Sequence, residues 1–194
     1  MPITSFKSGT KSRSMLVGNT YYEPSSYYSI ATTTLGSTTD SVTFSSIPAT
    51  FTHLQLRYIA RTSRTVDDDG FEIQLNGDTG TNYRYHYLNG SGATVLAYGE
   101  GSMTGLVVPV VAGANAGANI FGVGIIDILD YRNTNKYSVT RALGGIDNNG
   151  SGAVRVQSGI WLNTAAVTSL KIQTNALGDF VQYSSFALYG IKGA

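Results

Sequence analysis

Cysteine is absent from this 194-residue chain, which excludes a disulfide framework and any thiolate metal centre. Histidine occurs only at His53 and His86, with too little beside either to form a ligand set or a catalytic triad. Charge is scarce as well. Asp, Glu, Lys and Arg make up 13% of the residues and the formal net charge is +1, so the clustered cations that displace counterions from phosphates are missing and no nucleic-acid partner is expected. No apolar run approaches the roughly 20 residues of a membrane-spanning helix, so no membrane partner is expected. Met1 to Gly9 is polar and no apolar run follows Lys7, Lys11 and Arg13, so no signal peptide is expected. Release inside a particle by cell lysis is one route that needs none.

Glycine (23), tyrosine (13), serine and threonine are plentiful, whereas the Glu, Lys and Leu on which helices depend are few. This is the composition of an all-β protein, and its length suits one domain with a full core. The clearest pattern runs from Ser41 to Arg61. After the break at Ile47-Pro48, Leu54, Leu56, Tyr58 and Ala60 fall on one side of an extended strand, and His53, Gln55, Arg57 and Arg61 on the other. A sheet with one apolar face must find a second layer, so a two-layer sandwich is expected.

In chain order, residues 1–24 read as an extended N-terminal arm, either frayed or ordered against a neighbouring subunit, and 25–194 as the β-sandwich domain. Strands are expected at Tyr27–Leu35, Val42–Phe44, Leu54–Arg61, Phe71–Leu75 and Tyr83–Leu88. Others are expected at Ala93–Tyr98, Gly105–Val111, Lys136–Leu143, Val154–Leu162, Val167–Thr174 and Ser184–Ile191. Ile120–Leu129 is apolar at nearly every position, which places it mid-sheet with both faces covered. Gly144–Gly152 is expected to be a long turn. About ten short strands with turn signals between them are the pattern of a jelly-roll-like single β-sandwich.

Few residues stand out chemically. Asp67, Asp68 and Asp69 lack the spacing of an EF-hand and read as a solvated loop. Ala112–Asn119 is small-residue rich but lacks the Lys and Ser/Thr of a phosphate loop. Trp161, the single tryptophan, reads as a core plug. The most conspicuous feature is the stripe at 83–88, with Tyr83, Tyr85 and Tyr87 on one face and Arg84 and His86 on the other. Tyrosines in such a row can stack on sugar rings or simply cover the sheet. Asp127 with Asp130, or Glu72 with Asp78, are acidic pairs that could in principle hydrolyse a glycosidic bond, but nothing beyond acidity marks them. No catalytic residue, cofactor or metal site is expected.

Four blocks carry a resemblance: Ser-Val-Thr-Phe-Ser-Ser-Ile-Pro-Ala-Thr-Phe-Thr-His-Leu-Gln-Leu-Arg (41–57), Leu-Asn-Gly-Asp-Thr-Gly-Thr-Asn-Tyr (75–83), Trp-Leu-Asn-Thr-Ala-Ala-Val-Thr-Ser-Leu (161–170) and Phe-Val-Gln-Tyr-Ser-Ser-Phe-Ala-Leu-Tyr-Gly-Ile (180–191). Together they resemble small structural proteins of tailed bacteriophages, notably marine and cyanobacterial ones, over Tyr28 to Ala194. The resemblance implies a non-enzymatic virion protein, with a tail-fibre or baseplate subunit used in host attachment as the first expectation. A capsid decoration protein anchored by its arm is the alternative. It also implies other virion proteins as partners, a homo-oligomer for which a trimer is the first expectation, and a host surface glycan as a possible ligand.

Overall fold

The period-two pattern does build strands, and among the described residues there is no helix. The computed structural model describes residues 15–17, 20–22, 26–174 and 178–193. Strands β1 (Met15–Val17) and β2 (Thr20–Tyr22) pair antiparallel with each other, and the remainder of the expected arm lies outside the described residues. Then come β3 (Tyr27–Thr34), β4 (Ser41–Phe44), β5 (His53–Ala60), β6 (Asp68–Asp69), β7 (Phe71–Leu75), β8 (Tyr83–Gly90) and β9 (Val95–Met103). The chain continues through β10 (Leu106–Val107), β11 (Val111–Ala112), β12 (Gly122–Leu129), β13 (Ser138–Asn148), β14 (Ser151–Trp161), β15 (Leu170–Thr174) and β16 (Ser185–Ile191).

Eight of these strands trace a jelly roll. Taken in chain order as β3, β4, β5, β7, β10, β12, β15 and β16, they alternate between sheets so that first, eighth, third and sixth are neighbours in one sheet and second, seventh, fourth and fifth in the other. Two hairpins interrupt this path, β8–β9 after the fourth strand and β13–β14 after the sixth. Both add to the β12 edge. The result is an eight-stranded antiparallel sheet, β3-β16-β5-β12-β13-β14-β8-β9, facing a four-stranded one, β10-β7-β15-β4.

The inner faces meet in one core. Leu54, Leu56 and Ala60 from β5 are fully buried against Ile73 and Leu75 from β7 and Leu170 and Ile172 from β15. Phe71 meets the Tyr58 ring edge-on at 4.9 Å, and Phe71, Phe180 and Phe186 pack edge-to-face at 4.9 to 6.1 Å. Each such side chain removed from water contributes about 1.5–3 kcal/mol. Gly124 and Gly144, paired across β12 and β13, make room for Tyr58: a Cβ at either would lie 2.4 or 2.5 Å from its phenol oxygen. That hydroxyl donates to the Pro109 carbonyl at 2.9 Å, and burial pushes its pKa well above the usual tyrosine range.

Four expectations need correction. Gly144–Gly152 is not a long turn, because β13 runs on to Asn148 and β14 starts at Ser151. Only Asn149-Gly150 turns, with φ of 53° and 97°, the twist-compatible hairpin corner that Asn-Gly favours. The strand ends are held because Ile146 and Ala153 bury against Val110 and Ala112 in a second small core. Gly105–Val111 is split into β10 and β11 around Pro109, which cannot donate to a ladder. The 62–70 loop is not simply solvated: Asp69 is buried and accepts from Thr62 Oγ1 (2.7 Å), Arg64 Nη1 (3.0 Å) and Gly70 N (2.8 Å).

The fourth correction concerns β12. It does lie mid-sheet, between β5 and β13, but among the described residues only its inner face is covered. On the outer face Val123 and Ile125 align with Ile59 on β5, Leu143 on β13, Val154 and Val156 on β14 and Leu88 on β8. These seven side chains are 38 to 59% exposed. The near-continuous apolar run therefore reflects a sheet that is apolar on both sides.

Candidate functional site

The tyrosine stripe on β8 divides by depth. Tyr83, nearest the small sheet, is fully buried; its ring stacks beside Trp161 (6.4 Å, 15° between planes) and its hydroxyl accepts from Leu75 N at 3.0 Å and donates to the Asp78 carbonyl at 3.1 Å. Burial pushes its pKa up to about 12. Tyr85 is also buried, and burial together with the neighbouring Glu100 carboxylate takes it to about 12. Only Tyr87 of the three reaches the surface, being half-buried. Arg84 and His86 point from the opposite face of the sheet, where a Cβ on Gly101 or Gly99 would meet their side chains. The five residues therefore do not form one site.

What the fold assembles around Tyr87 is a platform from three strands. Tyr87 and Tyr98 pair directly across β8 and β9, with ring centroids 5.5 Å apart. The Tyr85 ring lies nearly parallel to Tyr87 at 6.0 Å and supports it from below. From β14 the Arg155 guanidinium sits 4.2 Å from the Tyr87 centroid, a cation–π contact, and Arg155 Nε donates to Asn89 Oδ1 at 3.3 Å. Exposed Glu100 accepts from Tyr98 OH at 2.7 Å and from Tyr85 OH at 3.4 Å, which raises the Tyr98 pKa. The two rings, tilted 40° to each other, are thus bordered by a carboxylate and an amide, and the guanidinium covers the Tyr87 face. The exposed Tyr98 ring can stack on the apolar face of a sugar ring while the polar groups around it bond hydroxyls.

Tyr98, Glu100, Asn89 and Arg155 were not legible as site residues in the sequence. Tyr98 and Glu100 do alternate along β9, but the pairing of β8 with a strand from residues 151–161 brings in Arg155, and no local signal carries that.

Three of the four carboxylates in the acidic pairs have structural partners. Asp127, on the outer face of β12, accepts from Gln55 Nε2 at 2.8 Å and Arg141 Nε at 2.7 Å. Asp130 bonds Lys136 and lies 3.4 Å from His53, and the Lys136 ammonium chiefly holds its carboxyl below the usual range. Asp78 accepts from Trp161 Nε1, Asn82 Nδ2 and Gly80 N. Glu72 sits opposite Val107 and Gln173 in the small sheet. Among the described residues no group of three or more His, Cys, Asp or Glu could hold a metal ion.

The Ala112–Asn119 loop has the reverse polarity of an anion cradle. Its carbonyls converge on the Arg61 guanidinium, which donates to Gly117 O (2.7 Å), Ile120 O (3.0 Å), Ala114 O (3.1 Å) and Ala116 O (3.0 Å). No protein-family model, curated protein or solved structure matches this chain.

Proposed function

We propose that this chain is a non-enzymatic structural subunit of a bacteriophage virion, placed in a tail fibre or baseplate, where it contacts host surface glycan through the Tyr87–Tyr98 platform. The observation that carries the reading is the platform itself: two surface rings 5.5 Å apart, with Arg155 over Tyr87 and Glu100 bonded to Tyr98. The sequence blocks that resemble phage structural proteins and the jelly-roll path support it. Tyrosine spends little side-chain entropy on binding, which suits repeated weak contacts made by a multivalent particle. The head-decoration alternative rests on residues 1–24, of which only β1 and β2 are described.

Quantitative gels of purified particles test the placement: a few to some tens of copies fit a tail, and hundreds fit the head. Virions carrying Tyr87→Ala and Tyr98→Ala test the platform. They should assemble normally and adsorb to host cells at least tenfold more slowly. Wild-type adsorption by both variants would remove the platform from attachment.

A further inference from the structure

Among the described residues no layer covers the outer face of the eight-stranded sheet. Ile59, Val123, Ile125, Leu143, Val154 and Val156 with Leu88 present on the order of 600 Å² of apolar surface, at the upper end of what the largest patch on a monomer usually reaches. We propose that this face is where a second copy of the same chain packs.

Three features of the face favour a copy over an unrelated protein. The first is area. Two such faces remove roughly 1,200 Å² from water, the lower bound of a stable specific interface. The second is shape. Gly145 and Gly90 interrupt the row Ile59, Val123, Val154, leaving a trough of about 1030 Å³ beside projecting valines. Knobs and a recess on one patch are what an isologous contact requires, since each copy must supply both. The third is charge. At the border of the apolar rows Arg141 and Asp127 neutralise each other at 2.7 Å, and Arg57 is turned aside to Gln55 (2.8 Å) and over the Tyr189 ring (5.0 Å). The trough itself is lined by one cation, Arg57, and one exposed anion, Asp147, so a second copy meets charges of both signs and no single-sign field. An interface this apolar belongs to the obligate kind, and the partner always made alongside a chain is its own copy.

The proposal goes beyond the virion reading and stands or falls without it. The natural absence of cysteine allows a direct experiment on the full chain in solution. Light scattering should give a mass that is a multiple of 20.6 kDa. Leu143→Cys and Val156→Cys, treated with a short bismaleimide, should yield covalent dimers. Thr164→Cys, exposed at the far end of β14, should yield at least tenfold fewer. Leu143→Lys should reduce the mass to 20.6 kDa with the far-UV circular dichroism unchanged. A monomeric wild type overturns the proposal, as would follow if residues 1–24, a lipid or a different protein covered the face. Equal cross-linking at all three cysteine positions overturns it too, independently of how Leu143→Lys folds.

Discussion

Trp161 Nε1 donates to Asp78 Oδ2 at 2.7 Å, joining the end of β14 to the turn after β7 across 83 residues of chain. The same carboxylate accepts from Asn82 Nδ2 at 2.9 Å and, through its other oxygen, from Gly80 N at 2.8 Å. Trp161 thus closes the bottom of the core with its single polar atom satisfied, and Asp78 serves as a loop organiser.

Asp78→Ala should destabilise the domain by about 1–3 kcal/mol, since it leaves a buried indole N–H unpaired, and lower Tm by roughly 3–10 °C. Asp78→Asn keeps an acceptor and should cost less. The acid limb follows from the same contacts. Burial alone would raise the Asp78 pKa, but the bonds from Trp161, Asn82 and Gly80 outweigh it and the carboxyl titrates below its ordinary value. A carboxylate lowered in the folded state stabilises fully above its unfolded pKa of about 3.9 and loses that contribution as pH falls through the folded value. Thermal melts should therefore show stability falling below about pH 4, less steeply in Asp78→Asn.

Gly144→Ala should cost about 1–3 kcal/mol by overpacking, because its Cβ would lie 2.5 Å from Tyr58 Oη and 2.8 Å from Pro109 Cβ. Tyr58→Phe removes the first of these atoms, so Gly144→Ala should be milder in that background. A double-mutant cycle by urea unfolding measures the difference, and additive costs would show that the hydroxyl is not the obstacle.

Arg61→Met keeps the aliphatic stem and leaves four carbonyls of the 114–120 loop without their cation. The amide protons of Ala116 and Ile120, bonded only within the loop, should exchange at least tenfold faster while those of β5 keep their protection. Arg61→Lys should rescue part of the effect, since an ammonium cannot span the same acceptors. Unchanged exchange in Arg61→Met would show that the loop holds its shape without the guanidinium.

Most strands were legible because their cause is local. Leu54, Leu56, Tyr58 and Ala60 alternate because one side of β5 is core, and the same holds for Phe71, Ile73 and Leu75. The misreadings have a common origin in pairing between distant segments. Asp147-Asn-Asn-Gly-Ser-Gly is dense in turn formers, yet most of it is strand, since Ile146 and Ala153 gain a core from residues 110–112 that no window around them reveals. In Ile120–Leu129 an apolar run has the same appearance whether or not its outer face is packed, so the sequence could not show that Val123 and Ile125 are exposed among the described residues.

The sequence by itself determined an all-β chain, the position of most strands and the side of each that seeks the core, since a two-residue period and turn chemistry act over a few residues. The tertiary structure alone decided the jelly-roll order, the addition of two hairpins to one edge, the split of the tyrosine stripe into buried and surface rings, and the open apolar face. Each of these depends on which distant strands exchange hydrogen bonds. Backbone groups are alike in every residue, so that choice is made by how whole faces pack.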